Sequence, residues 1–197
     1  ELSDELERRG QRAQLFVVGG AAMALAYDAT RSTKDIDAAF EPSTAVRESA
    51  ALIAVERGLP ADWLNDAAKG FFPGADPDPR TVFESEWLLV QVASPKYLLA
   101  MKLHSGRLEN DRSDAVILYR LAGFTTAEQG MELLESTYGA RHLSPRHRYI
   151  VEEVAGAANA ERAAQLAATA AGLRARQDHI DDRPPPHPEP PRRGMSL

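Results

Sequence analysis

The chain has 197 residues, 44% of them apolar, no cysteine and a formal net charge of −6. That length and apolar content suffice to bury a core, as one domain or as two small halves sharing an interface. The missing cysteines exclude disulfides and thiolate zinc sites, and the acidic balance excludes a general polyanion binder, so any nucleic-acid contact must be local.

The N-terminal stretch ELSDELERRGQ is charged and amphipathic, unlike a signal peptide. No apolar run approaches the roughly 18 to 20 residues of a membrane span, so the expected protein is cytoplasmic, with no membrane partner. Residues 1–93 mix helical stretches with short β-rich runs: LFVV at 15–18, DIDAAF at 35–40 and WLLVQVA at 87–93. That mixture predicts an α/β unit with a mixed sheet. From Ser94 onward nothing reads as strand. Ser94-Pro95 opens KYLLAMKLHSGR, and a second start lies near Asn110. Thr125 or Thr126 precedes AEQGMELLEST with Glu128 placed to cap, and Ser144-Pro145 opens an Ala-rich segment to about Arg176. A helical half at 94–178 is therefore expected, followed by a Pro-rich disordered tail at 179–197, whose prolines cannot join a ladder.

Three features carry chemistry. Gly19 and Gly20 stand where the first strand turns into the helix AAMALAY, a joint at which absent side chains let a phosphate approach the backbone. A tight turn is the plainer alternative, and the GxGxxG spacing of a dinucleotide site is missing. Asp35 and Asp37 flank Ile36, so on a strand they share a face at about 7 Å between Cα atoms. Like charges that close call for a cation, and hard oxygen ligands suit Mg²⁺; the competing reading is a solvated strand end with one Asp capping a turn. Lys102 shares a helical stripe with Leu98 and Leu99, and Asp114 one with Ile117, Leu118 and Leu121. Charges on core-facing stripes need partners, either an ion pair between two helices or a ligand.

A Gly-Gly turn after a first strand, then a helix, then Asp-apolar-Asp on a second strand resembles the polymerase-beta-like nucleotidyltransferase superfamily. GGAAMAL, RSTKDID, GLPADWLNDAAKGFFP and SPKYLLAMKLHSGR with its trailing NDRSDAVIL are similar to its AbiEii-type branch, in particular the MenT-type mycobacterial toxins, over about residues 15–122. This resemblance implies an α/β nucleotidyltransferase core completed by the helical half, with the active site in the cleft between them. It implies an Mg²⁺-dependent enzyme that adds nucleotides, often pyrimidine ones, from a nucleoside triphosphate to the 3′ acceptor end of tRNA, so blocking translation. A cognate antitoxin would restrain it.

Carried over residue by residue, Gly19 and Gly20 take the phosphate-cradling place, and Asp35 and Asp37 the metal-binding pair. Arg31, Ser32 and Thr33 would assist with phosphate, Lys102 would bind the triphosphate, and Asp114 would assist metal binding or orient the attacking hydroxyl. The sequence departs from the superfamily in lacking a clear third carboxylate: Glu84 and Glu86 lie without a clear frame, and Asp114 is the other alternative for that place. Trp63 and Phe71 read as core residues in preference to base-stacking platforms. For RNA, the best local cluster is Arg141, Arg146 and Arg148 with His142 and His147, against the alternative of a solvated helix start. A protein or aminoglycoside acceptor, or a noncatalytic regulatory module, remain the rival readings.

Overall fold

In the computed structural model, which describes residues 1–27 and 32–181, Ala13, Leu15 and Val17 alternate into the core along β1 (Ala13–Val17). β1 is the centre of a five-stranded sheet of order β3-β2-β1-β5-β4. β2 (Ile36–Glu41) runs antiparallel to β1 and parallel to the short β3 (Leu64–Asn65). β5 (Leu88–Val92) runs parallel to β1, and β4 (Arg80–Glu84) closes the far edge antiparallel to β5, with an irregularity between Thr81 and Phe83. The expected mixed-sheet α/β fold with a C-terminal helical half is what the structure has.

One sheet face receives α1 (Leu2–Arg8) and α3 (Ser43–Arg57), whose Val46, Ala50 and Ile53 are buried. On the other face Phe16 meets Phe72 and Tyr97 edge-on, with ring centroids 5.8 and 5.4 Å apart. Tyr97 belongs to α4 (Pro95–Ser105), which starts where Ser94 Oγ accepts the Tyr97 amide and Pro95 occupies the first helical position. Leu98, Leu99 and Leu103 on this helix are fully buried, each stabilising the fold by about 1.5–3 kcal/mol. α5 (Leu108–Leu121) and α6 (Ala127–Tyr138) pack against α4. The same core continues through Tyr119 and Leu134 to Ile150, Val151 and Val154 on α7 (Pro145–Asp181), so sheet and helices up to Ala158 form one compact unit. From Asn159 the chain is a second unit, a stretch of α7 whose side chains are exposed along most of its described length.

Several boundaries differ from the sequence reading. α5 begins at Leu108 and α7 extends to Asp181. Of the expected tail, 179–181 belong to α7, and 182–197 lie outside the described residues, as does Arg31. Among the described residues no helix is long and apolar enough to cross a membrane.

Candidate nucleotide site

Val18 ends β1 by donating its amide to the Asp37 carbonyl at 2.9 Å, which ties the glycine bend to the start of β2. Gly19 then adopts φ +64°, the left-handed region that favours glycine, and a Cβ there would sit 3.1 Å from Asp37 Oδ2. A Cβ on Gly20 would sit 3.2 Å from Thr33 Oγ1. Close approach therefore favours glycine at both positions, and backbone conformation favours it at Gly19 as well. The chain passes from them into the short α2 (Gly19–Ala22) and a π-helical turn, Met23–Tyr27.

Asp37 lies on β2 in register with Asn65 of β3, and its carboxyl is raised above the usual range by burial first and by the charge of Asp35 second, with Asn65 acting in the opposite sense. Asp35 is exposed and precedes the strand, which begins at Ile36. Asp37 thus stands on the strand and Asp35 one residue before its start, near enough for its charge to act on the Asp37 carboxyl. Thr33 Oγ1 donates to the Asp35 carbonyl at 3.1 Å and lies 3.3 Å from its Oδ1, so this hydroxyl fastens the loop; Ser32 is exposed beside it.

Facing the bend, α4 delivers Lys102. Its Nζ donates to Asp111 Oδ1 at 2.7 Å and lies 2.9 Å from Asp114 Oδ2. Asp111 and Asp114 are one helical turn apart on α5, which the Gly106 turn folds back against α4. The Lys102 and Asp114 side chains are only 10% and 2% exposed, so the ion pair between helices anticipated for these stripes is present. Asp111 thus takes a hydrogen bond from the ammonium, while Asp114 meets it as a buried counter-charge.

These pieces line one cleft of about 670 Å³, with Gly19, Gly20, Asp37, Lys102, Arg107 and Asp111 as its polar and glycine lining and Ala67, Ala68, Phe71, Leu98 and Met101 as its apolar lining. Asp114 stands behind Lys102 and Asp111 takes the lining position. The signal for Asp111 was present in the sequence, since NDRSD places two acids three residues apart. Arg107, exposed at the start of α5, makes no ion pair among the described residues. Phe71 departs from its expected core role, being 69% exposed, whereas Trp63 is half-buried and donates its indole N–H to the Ala50 carbonyl at 3.0 Å. A second hollow of about 700 Å³ beside Pro73, Lys96 and Thr137 contains neither glycine nor acid of this set.

Glu84 and Glu86 do not converge on the cleft. Glu84 pairs in register with Leu89 on a strand separated from β2 by two others and at the opposite end of the sheet from Asp37, while Glu86 bonds Arg12 at 3.0 Å on the surface. Among the described residues no three acidic or imidazole groups gather as a metal cluster. The Asp35–Asp37 pair still fits Mg²⁺, which keeps several waters and needs only one or two protein carboxylates when substrate phosphates share its shell.

At the cleft wall His104 stacks on Tyr138 with ring centroids 3.9 Å apart and on His147 at 5.1 Å, a grouping that the spacing of these residues did not reveal. Burial, and then the nearness of His147 and His142, hold the His104 imidazole below its ordinary value. The Ser144 amide donates to His147 Nδ1 at 2.9 Å, which leaves Nε2 to carry the hydrogen toward the His104 carbonyl. Of the basic cluster, Arg146 is engaged internally, donating to the Gly106 carbonyl at 2.8 Å; Arg148 pairs with Glu152 at 3.6 Å, and Arg141 is exposed.

No curated protein and no solved structure matches the chain. Residues 1–120 match the family profile described as "Nucleotidyltransferase of unknown function (DUF6036)". That span takes in the glycine bend, Asp37, Lys102 and both α5 aspartates, and the chain belongs to this nucleotidyltransferase family.

Proposed function

We propose that this nucleotidyltransferase-family protein is a toxin of a toxin–antitoxin pair, transferring nucleotides from a nucleoside triphosphate to the 3′ end of tRNA. One observation carries the reading: the glycine bend, Asp37 and Lys102, from two distant segments, line a single cleft. A phosphoryl-transfer site needs that combination of close backbone approach, acidic oxygen and cation. In the proposed reaction the acceptor 3′-hydroxyl oxygen forms a bond to the α-phosphorus and gives up its proton to solvent, and the bond from that phosphorus to the pyrophosphate oxygen breaks, releasing pyrophosphate. Asp35 and Asp37 would hold Mg²⁺, which when bound neutralises charge on the phosphate oxygens. Gly19 and Gly20 would admit the phosphates to the backbone, Lys102 would offer its ammonium to them, and Asp111 would accept a hydrogen bond from the incoming hydroxyl. Arg141 and Arg148 would meet the RNA backbone, giving contacts that weaken as salt rises. The resemblance to AbiEii-type and MenT-type toxins supports the tRNA acceptor and the partner antitoxin.

Incubation with α-labelled nucleotides, Mg²⁺ and a mixture of total tRNA, cell protein and an aminoglycoside tests the acceptor. Label is expected on tRNA 3′ ends. Label confined to protein or drug would transfer the reading to those acceptors, and nucleotide binding without any transfer would make the chain a regulatory module.

A further inference from the structure

Phe71 has no structural use in the fold that would explain it. It ends the short 3₁₀ turn Ala67–Phe71, which follows directly from β3, the strand paired beside Asp37. Its neighbour Phe72 packs into the aromatic cluster with Phe16 and Tyr97, yet Phe71 is 69% exposed and lines the cleft that also holds the glycine bend. The rest of the turn contributes the small side chains of Ala67 and Ala68 to the lining of the same cleft, and Met101 adds a further apolar group. Scattered exposed apolar residues are ordinary. An exposed aromatic lining the same cleft as a glycine bend, Asp37 and Lys102 is a different arrangement. It offers a π face to a planar ring whose anionic end lies toward the glycines and Lys102.

We propose that Phe71 is the stacking platform for the nucleobase of the nucleoside triphosphate. This rests on the nucleotide-transfer reading above and adds how the base, as distinct from the phosphates, is held. Stacking on a phenyl ring tolerates every base, since each has a π face, so Phe71 supplies affinity and orientation without selecting one nucleotide.

The test compares the wild-type chain with Phe71→Ala and Phe71→Trp by calorimetry, using each of the four nucleoside triphosphates and inorganic tripolyphosphate, all with Mg²⁺. Being exposed, this position is substituted without disturbing the core. Phe71→Ala is expected to weaken nucleotide binding by roughly tenfold or more while leaving tripolyphosphate binding unchanged, and Phe71→Trp is expected to restore it. Equal nucleotide affinity in wild type and Phe71→Ala would overturn the stacking role alone. So would a parallel loss of tripolyphosphate binding, because the residue would then act on the phosphate end. Wild-type protein that binds neither ligand would overturn the nucleotide-transfer reading and this inference with it.

Discussion

At Lys102 the cleft contains less free positive charge than the sequence suggests. Its ammonium is shared between Asp111 and Asp114, so the three groups together are net negative and draw a triphosphate poorly. Arg107 is the other lysine or arginine of the lining, and it has no carboxylate partner among the described residues. Arg107→Ala should therefore weaken binding of nucleoside triphosphate and of tripolyphosphate alike by roughly tenfold, the effect of losing a hydrogen bond to a charged group; unchanged calorimetric affinities would refute this. Asp37 makes a second prediction with a sign. Burial and Asp35 raise its pKa, so the fold favours the neutral carboxyl. That contribution is complete below the unfolded value near 4 and is lost as pH rises through the raised native value. Asp37→Asn should accordingly melt above wild type at pH 7, with the difference shrinking below about pH 4, while transfer activity disappears. A lower melting temperature for the variant at pH 7 would contradict the account. At this scale the sequence showed which residues carry charge and which glycines turn the chain. It did not distinguish Phe71 from Trp63, because exposure depends on which neighbour closes over each ring, and two adjacent aromatics such as Phe71 and Phe72 face apart.

The helices show how closely element boundaries follow capping chemistry. Thr126 caps α6, accepting from the Gln129 amide, while Gln129 Oε1 accepts from the Thr126 amide at 3.1 Å. The sequence offered Thr125 or Thr126, and Glu128 fits only the first frame; the reciprocal box selects Gln129 instead. β4 escaped notice because only Val82 along it is even half-buried, so no apolar alternation marks this edge strand. α6 also holds a tight contact: a Cβ on Gly130 would meet Val151 Cγ1 at 2.7 Å and Tyr119 Oη at 2.8 Å. Gly130→Ala gains about 1 kcal/mol of helix propensity but forces apart α5, α6 and α7. The net loss should be about 1–2 kcal/mol, read as a lower midpoint in urea unfolding; an unchanged or higher midpoint would show that the three helices adjust freely.

Over the whole molecule, the parallel pairing of β1 with β5 was the least legible feature, since periodicity identifies strands but not their neighbours. That pairing and the Gly106 turn bring residues from 19 to 111 to one cleft, within a chain of net charge −6. The central claim is that this cleft moves a nucleotidyl group, whatever the acceptor. Its most direct measurement follows nucleoside triphosphates labelled separately at the α and γ phosphates, incubated with Mg²⁺ and total RNA. The account predicts α label joined to the acceptor and γ label released as pyrophosphate by the wild type, with both signals lost in Asp37→Ala. Release of γ label as free phosphate with no α label transferred, or full transfer by Asp37→Ala, would contradict it.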